Sequence, residues 1–319
     1  MRGLLKALAP AWAKRLLYRA PQEQLKRLRV LGLAGYFLLD HWSRQMERSV
    51  ATLPPLAGEG EPVDLWFLTG NRFWYQTAYC AWTFGWHARR PVRLHLVDDG
   101  SLRPAQVEAL ARLFGPVDVV AADASRARLA TLLPSDRYPM LNRRWLDYIH
   151  LRKVIDVHLG GQGPRLVLDS DMLFFARPDL LLDWLDSGDD RPLLYMTDCE
   201  ESYGYSRARL ERLAGAALPV MLNVGICGLS SERLDWDRLE AWSSDLVGAE
   251  GTSYFLEQAL VAMMAAREPG VQAPASAYIT LPTPAQVRAG EGVLQHYVAS
   301  SKSDYFRHAW RLARARCGV

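Results

Sequence analysis

Two aspartates separated by one residue stand inside an apolar run, Arg165-Leu-Val-Leu-Asp-Ser-Asp-Met-Leu-Phe-Phe175. The apolar residues on both sides are typical of a buried strand in a parallel sheet. Asp169 and Asp171 would lie at the carboxyl end of that strand, where open α/β sheets bind their ligands. A buried charge without a partner is too costly in free energy, and a divalent cation offsets that cost. The motif therefore predicts a site for a metal and a diphosphate, and a solvated turn after the strand is the alternative for so short a pattern.

A histidine and a lysine near the end of the chain supply chemistry that such a site needs. His296 precedes Lys302 by six positions in the segment Leu294-Gln-His-Tyr-Val-Ala-Ser-Ser-Lys302. An imidazole completes the coordination of an ion such as Mn²⁺, and a lysine holds a phosphate as a point charge. Only five of the 38 basic residues are lysines, and Lys153 and Lys302 are the two that follow Lys26. These side chains are therefore candidate ligands, although a lone histidine is more often structural.

Amides in the second half of the chain are candidates to contact a substrate. Asn223 lies among small residues, in Leu222-Asn-Val-Gly-Ile-Cys-Gly228, where the backbone can approach a ligand closely. Gln258 follows Glu257 at the start of a predicted helix, and its amide can stabilise positive charge without becoming a nucleophile. A kinked core strand and a helix surface pair are the structural alternatives. Four aromatic residues nearby fit either the stacking of sugar rings or the lining of a core: Tyr203, Tyr205, Tyr254 and Phe255.

The elements that must hold these side chains alternate between strands and helices. Apolar runs predict strands over Val63–Thr69, Val92–Val97 and Val117–Ala121. Helices are predicted over Phe73–Phe84, Pro104–Phe114 and, as a long helix before the Asp-x-Asp strand, Arg143–His158. This order implies right-handed βαβ units and hence an α/β fold with a Rossmann-like, mostly parallel sheet flanked by helices. Neither G-x-G-x-x-G nor G-x-x-x-x-G-K-S/T occurs, which argues against a classical dinucleotide or P-loop site.

The start of the chain differs in character from the rest. Its composition predicts basic helices and a linker over residues 1–60, followed by a single α/β domain over residues 61–319. Apolar residues recur at helical spacing among the basic ones, namely Leu5, Leu8, Trp12 and Leu16. Such a helix either lies on the inner face of a membrane or packs against protein. No apolar stretch reaches the ~20 residues of a membrane span.

Net charge and cysteine usage narrow the class of protein further. The formal net charge of only +3 gives no electrostatic case for binding nucleic acid. The four cysteines are scattered, without a C-x-x-C pair, which argues against a zinc site or a disulfide framework. Scattered free cysteines fit a reducing compartment, so we expect a cytoplasmic protein.

Taken in order, these motifs resemble those of the GT-A nucleotide-sugar glycosyltransferases over roughly Val63 to Trp310. The likeness is greatest to the retaining family-eight group, which includes glycogenin and bacterial galactosyltransferases. The family's Asp-x-Asp, Asn-Ala-Gly and acidic-Gln motifs are similar to Asp169-Ser-Asp171, Asn223-Val-Gly225 and Glu257-Gln258. Its closing motif, His-x-x-Gly-x-x-Lys-Pro-Trp, resembles the segment from His296 to Lys302.

The closing segment departs from the family pattern in two places. Ala299 stands where the family has glycine, and Ser303-Asp304 replaces Pro-Trp. Both changes fall beside Lys302, so the loop on the phosphate side is expected to differ in shape.

The resemblance implies a set of site residues. A divalent cation, Mn²⁺ or Mg²⁺, would be held by Asp169, Asp171 and His296. The nucleotide-diphosphate-sugar would contact residues from several segments: Thr69, Asn71, Arg152 or Lys153, Ser170 and Lys302. On the sugar side the resemblance suggests Gln258, Asn223 and, less directly, Asp198. The same resemblance implies GT-A architecture with a smaller acceptor-side region.

The activity implied is transfer of a sugar, usually from a UDP-sugar, to a glycan, a lipid-linked acceptor or another hydroxyl, with retention of configuration. The motifs specify neither the donor base, the acceptor nor the oligomeric state. An inverting GT-A enzyme is one alternative, and it would use a carboxylate base such as Asp198, Glu200 or Glu201. A non-catalytic protein that binds nucleotide-sugars or serves as a scaffold on the same fold is another, although it would have no need of three metal ligands.

Overall fold

A computed structural model describes residues 38–188, 191–268 and 270–319 of the chain. The chain divides into two units, residues 1–48 and 49–319, and residues 38–49 are helical. The basic helices predicted nearer the start, and the membrane contact predicted for them, lie outside the described residues. Within the described ranges, no helix is both long and apolar enough to cross a bilayer. The predicted division at residue 60 stays a prediction.

The strands, in chain order, are β1 (Val63–Thr69), β2 (Val92–Asp98), β3 (Val117–Val120), β4 (Pro164–Leu168), β5 (Met172–Phe174), β6 (Leu193–Thr197), β7 (Leu222–Ser230), β8 (Gly270–Gln272), β9 (Tyr278–Thr280) and β10 (Leu294–His296). Seven of them form the main sheet in the order β3-β2-β1-β4-β7-β6-β8. Strands β1 to β4 pair in parallel, as do β6 and β8, while β7 runs antiparallel to both β4 and β6. The predicted mostly parallel α/β sheet is confirmed.

Helices connect and flank these strands: α1 (Trp74–Ala88), α2 (Pro104–Phe114), α3 (Ala122–Leu132), α4 (Pro139–Asp147), α5 (Arg152–His158), α6 (Asp179–Asp186), α7 (Arg207–Ala214), α8 (Trp236–Glu250), α9 (Leu256–Ala265), α10 (Pro284–Ala289) and α11 (Trp310–Arg316). A 3₁₀ turn (Ala299–Ser301), one α-helical turn (Lys302–Asp304) and a π-helix (Tyr305–Ala309) precede α11. Local signals set several helix starts. Asp235 accepts a hydrogen bond from the Arg238 N–H at the start of α8, and Thr283 forms a capping box at α10.

The long helix predicted over Arg143–His158 is broken, and this prediction is wrong in that respect. Tyr148 takes an extended backbone, with φ −135° and ψ 94°, between α4 and a 3₁₀ turn that leads into α5. The Tyr148 hydroxyl donates a hydrogen bond to the carbonyl of Tyr254, which is distant in sequence. Helical periodicity records only local preference, so a break that accompanies a tertiary contact leaves no sign in it.

The apolar run of residues 165–175 forms two strands where the sequence predicts one. Its first part is β4 of the main sheet, and its last part is β5 of a second sheet with the order β5-β10-β9. The Asp-x-Asp motif is the connection between the two sheets. In the second sheet His296 of β10 pairs with Met172, so it is the residue opposite the start of β5. This pairing brings the histidine and the two aspartates together.

Two helices carry charged residues into the interior. All seven residues of α5 are buried, including Lys153. Nine of the ten residues of α9 are buried, including Glu257 and Gln258 near its first turn. A buried charge requires a partner. The two helices can therefore pack in the interior because Lys153 of α5 forms an ion pair with Glu257 of α9.

Candidate active site

The two aspartates of the motif and His296 converge at the carboxyl end of β4. The Asp169 N–H donates to the carbonyl of Gly225 at 2.8 Å, and the Tyr297 N–H donates to the carbonyl of Asp171 at 2.9 Å. These backbone bonds fix both carboxylates against the neighbouring strands. The Nε2 atom of His296 lies 3.2 Å from Asp171 Oδ1 and 3.7 Å from Asp169 Oδ2.

The donor atoms of this cluster suit a divalent cation. One ligand atom from each of the three residues lies within 4.8 Å of the others. Two carboxylates and one imidazole form a set that Mn²⁺ or Mg²⁺ accepts. His296 is only 3% exposed, and its Nδ1 has no hydrogen-bond partner among the described residues. Because Nε2 faces the carboxylates, it is the nitrogen available to a metal.

Lys302 approaches the same cluster from the loop after β10. Its Nζ donates to Asp171 Oδ2, and its side chain remains one-third exposed. Burial acts to raise the pKa of Asp171, but the nearby Lys302 and His296 outweigh burial and hold that pKa well below its ordinary value. Asp171 is therefore ionised at neutral pH, as a metal ligand must be.

Lys153 ties the motif to α9. Its Nζ lies 2.9 Å from Asp169 Oδ1 and 3.0 Å from Glu257 Oε1, and its side chain is 5% exposed. Burial acts to lower the pKa of Lys153, but the two carboxylates raise it well above its usual value. Burial and the proximity of Asp169 raise the pKa of Glu257 to about 7, although Lys153 opposes that rise. The buried Lys153 ammonium is thus the ion-pair partner of both carboxylates. The raised pKa of Glu257 means that this carboxylate is partly protonated near neutral pH.

A second polar cluster joins the ends of β6, β7 and α9. Asp198 Oδ2 accepts hydrogen bonds from Asn223 Nδ2 and Gln258 Nε2, both at 3.1 Å. Asn223 Oδ1 in turn accepts from the Gly225 N–H at 2.8 Å. Because the carbonyl of Gly225 holds Asp169, this glycine connects the two clusters through its backbone. The structure therefore brings together all three residues predicted on the sugar side.

Comparisons with known proteins yield matches among solved structures only, since no protein-family model and no curated protein matches the sequence. Galactosyltransferase LgtC, solved with donor and acceptor sugar analogs, is similar with a TM-score of 0.50 and 15% identity. That match covers 80% of this chain and 95% of the other. The bifunctional glycosyltransferase WbbM gives a TM-score of 0.52 at 12% identity, over 83% of this chain and 53% of that one. This chain has a GT-A glycosyltransferase fold. The fold predicted from its motifs is confirmed.

The GT-A fold brings Lys153, but not Arg152, to the Asp-x-Asp motif. Arg152 Nε donates to the buried Asp156 at 2.6 Å, and its guanidinium lies over the Trp145 ring at 4.8 Å. Neighbouring positions on a helix point in different directions, so only one of the two basic residues can face the site. The sequence leaves the choice open, and the packing of α5 decides it.

The nucleotide contacts predicted at the start of the GT-A domain stay predictions. The hydroxyl of Thr77 lies 2.8 Å from both Thr69 Oγ1 and Ser170 Oγ, and Thr69 is buried. This hydroxyl chain links β1 to the Asp-x-Asp loop. Asn71 Oδ1 accepts a hydrogen bond from Gln106 Nε2 at 2.8 Å. These side chains hold the loop edges together, and none of the described contacts tests a role in nucleotide binding.

Gly225 leaves the space that His296 occupies, and this yields a prediction. A Cβ at residue 225 would lie 2.6 Å from His296 Cε1 and 2.7 Å from its Nδ1, which is closer than real contacts allow. We expect Gly225→Ala to displace the imidazole, to weaken Mn²⁺ binding at least about tenfold and to cost about 1–3 kcal/mol of stability. Titration of Mn²⁺ and thermal unfolding measure the two effects.

Gly248 in α8 provides the matched control. A Cβ there would meet nothing within 4 Å, so Gly248→Ala should leave Mn²⁺ binding unchanged and raise stability by about 0.5–1 kcal/mol. Equal Mn²⁺ affinity in Gly225→Ala and the native protein would show that the position of His296 is not critical for the metal.

Ala299, the residue that departs from the family's glycine, has a backbone that favours glycine. Its φ is +43°, in the left-handed region, at the start of the turn that leads to Lys302. A residue with a Cβ in this conformation lowers the free energy of unfolding by about 1–2 kcal/mol. Glycine removes this strain, but it also makes the unfolded chain more flexible, which offsets part of the gain. We expect Ala299→Gly to raise the free energy of unfolding by up to about 1 kcal/mol. Ala241→Gly, at an exposed position in the interior of α8, should lower it by about 1 kcal/mol. Equal losses in the two variants would contradict this account of the loop.

The sequence assigns neither Glu257 nor His150 a role of its own in the site. Glu257 is part of the acidic-Gln motif, but nothing in the sequence distinguishes a buried acid from one on a helix surface, and His150 belongs to no motif. His150 and Tyr254 form an edge-to-face pair with ring centroids 4.9 Å apart. Burial and Lys153 lower the pKa of His150 to about 4, while Asp169 and Asp171 oppose this change. His150 is therefore a neutral ring in the neighbourhood of the Asp169 and Asp171 carboxylates.

Proposed function

We propose that this protein is a metal-dependent glycosyltransferase that moves a sugar from a nucleotide-diphosphate donor to a hydroxyl acceptor. The observation that carries the proposal is the convergence of Asp169, Asp171 and His296 at the carboxyl end of a parallel strand in a GT-A fold. A scaffold protein would have no use for three ligand atoms within 4.8 Å of one another. The structural neighbour LgtC, solved with donor and acceptor sugar analogs, supports the proposed substrate class.

The chain's own residues divide the work as follows. When bound, the divalent cation supplies Lewis-acid charge that stabilises the leaving diphosphate. Lys302 is partly exposed, so its ammonium is available to form a charge-assisted bond to a phosphate oxygen. Lys153 is fully committed to Asp169 and Glu257, and its role is to hold the Asp-x-Asp loop and α9 in fixed positions.

Two of the three carboxylates that could act as the base of an inverting enzyme already have partners. An inverting enzyme needs a carboxylate base that is free to take a proton from the acceptor. Asp198 already accepts hydrogen bonds from two side-chain amides and from the Cys199 N–H. Glu201 is paired with Arg207, whereas the exposed Glu200 is the candidate base that remains for an inverting enzyme. We propose retention on the strength of the family resemblance, with Gln258 and Asn223 beside the reacting sugar. The anomeric configuration of the product, measured by NMR, tests it.

A thermal-shift series with UDP, GDP and CDP, each with and without Mn²⁺, tests the proposed function. A nucleotide at 100 times its dissociation constant should stabilise the protein by about 2.7 kcal/mol, which is a shift of several degrees. We expect this shift with one nucleotide, UDP by resemblance, and only in the presence of Mn²⁺ or Mg²⁺. Identical unfolding temperatures with and without metal for all three nucleotides would refute a metal–diphosphate site.

A further inference from the structure

Tyr254 differs from the other aromatic residues of its region in its exposure. Tyr203 and Tyr205 are 3% and 9% exposed and belong to the core, whereas Tyr254 is 66% exposed. A single exposed ring is common on protein surfaces, so the exposure of Tyr254 shows only that its face is accessible to a ligand. The sequence leaves open whether these aromatic residues line a core or stack on sugars, and only Tyr254 of the three is free to stack.

Backbone contacts fix Tyr254 next to the candidate active site. The Tyr148 hydroxyl donates to the Tyr254 carbonyl and accepts from the Glu257 N–H at 3.5 Å. Glu257 is connected through Lys153 to Asp169. Asp169 and Asp171 both lie close enough to interact electrostatically with the Tyr254 hydroxyl.

The orientation of the ring is also held. His150 contacts Tyr254 edge to face, with an interplanar angle of 74°, and Phe255 contacts it at 90° from a centroid distance of 5.3 Å. Two edge contacts restrict rotation of the ring without covering all of it. A fixed, exposed aromatic face next to carboxylates is suited to the C–H face of a sugar, whose hydroxyls can then reach the polar groups.

From this geometry we infer that Tyr254, oriented by His150, is a stacking platform for a pyranose ring at the edge of the site. The inference rests on the proposed function, since it names a subsite of the same reaction. The pyranose is either the transferred sugar of the donor or the acceptor, because both present the same C–H face. The stacking face, and not the phenol hydroxyl, makes the contact, so phenylalanine should replace tyrosine.

Two measurements test the platform, and one of them needs no catalysis. Saturation-transfer NMR records binding of methyl glucoside, galactoside and mannoside in the presence of Mn²⁺ and UDP. Release of UDP from a panel of UDP-sugars without acceptor records the donor sugar alone. Tyr254→Ala should weaken binding of one ring about tenfold, and Tyr254→Phe should retain it within about twofold. Trp86→Ala, which removes a ring 38% exposed elsewhere, should change neither measurement.

The outcomes distinguish the transferred sugar of the donor from the acceptor. They also distinguish failure of the stacking platform from failure of the proposed transferase activity. A higher KM for UDP release in Tyr254→Ala identifies the transferred sugar, and weaker binding of methyl pyranosides alone identifies the acceptor. If Tyr254→Ala changes neither measurement, or if Tyr254→Phe loses as much as Tyr254→Ala, the platform is refuted. Pyranoside binding that depends on Tyr254, without any UDP release by the native protein, would uphold the platform and count against the proposed transferase.

Discussion

Replacing Asp171 with asparagine is expected to lower sugar transfer by about 10³-fold, equivalent to ~4 kcal/mol of transition-state stabilisation, while the fold remains intact. The large effect follows because the ion's contribution depends on a full negative charge among its ligands. Asp171 is held ionised by Lys302 and His296, so its charge is available to the metal in the folded protein. Asparagine has the same shape but no charge.

The fold should tolerate this change because asparagine leaves no buried charge unpaired. The freed Lys302 is one-third exposed and can be solvated, so we expect the free energy of unfolding to change by about 1 kcal/mol or less. Steady-state transfer, Mn²⁺-dependent nucleotide binding and urea unfolding should be measured together. Asp179→Asn, at an exposed carboxylate of α6, is the control and should be active. Metal-dependent activity retained in Asp171→Asn would exclude this residue from the site.

Lys153→Met is expected to produce the largest loss of stability, about 3–5 kcal/mol in urea unfolding. The methionine fills most of the lysine volume, but it leaves Glu257 buried without its cation and Asp169 without one of its partners. Because Glu257 already has a raised pKa, it can take up a proton, so the loss should fall towards the lower end of that range. Transfer should also fall, since the Asp-x-Asp loop loses its link to α9.

A second substitution distinguishes the loss of a charge pair from the loss of packing. Lys153→Met combined with Glu257→Gln removes the uncompensated buried carboxylate, and we expect it to recover at least about 1 kcal/mol relative to Lys153→Met alone. Activity should stay low in the double variant, because Asp169 still lacks Lys153. If the two substitutions destabilise additively, Glu257 and Lys153 do not act as a pair, and the bridge between the motif and α9 has no energetic importance.

Much of the architecture could be predicted because its signals are local. The apolar run of β1 and the proline-started helix α2 have the bounds that the sequence predicts. The interruptions of one predicted helix and one predicted strand could not be predicted in the same way. The extended backbone at Tyr148 and the division of residues 165–175 between two sheets accompany contacts with residues 254 and 296, and such contacts leave no periodic pattern. Local propensity is therefore overridden where the chain builds the site.

In the candidate site, too, some features can be predicted from the sequence and others cannot. The order of the motifs correctly anticipates that Asp169, Asp171 and His296 lie together, because a parallel strand end and a resemblance both point there. Which of Arg152 and Lys153 faces the motif depends on how α5 packs, and exposure of Tyr254 depends on the segment before α9. The orientation of the basic residues of α5 and the exposure of Tyr254 both depend on which side chains are buried. A single sequence does not show this.

Diffraction from crystals grown with UDP and Mn²⁺, recorded where manganese scatters anomalously, tests the central claim most directly. The account predicts one strong anomalous peak about 2.0–2.3 Å from a carboxylate oxygen of both Asp169 and Asp171 and from His296 Nε2. It also predicts the nucleotide diphosphate as a further ligand of the same ion. A peak that lacks His296 as a ligand would remove the histidine from the proposed set. A nucleotide bound elsewhere, with no ion between the two aspartates, would contradict the account as a whole.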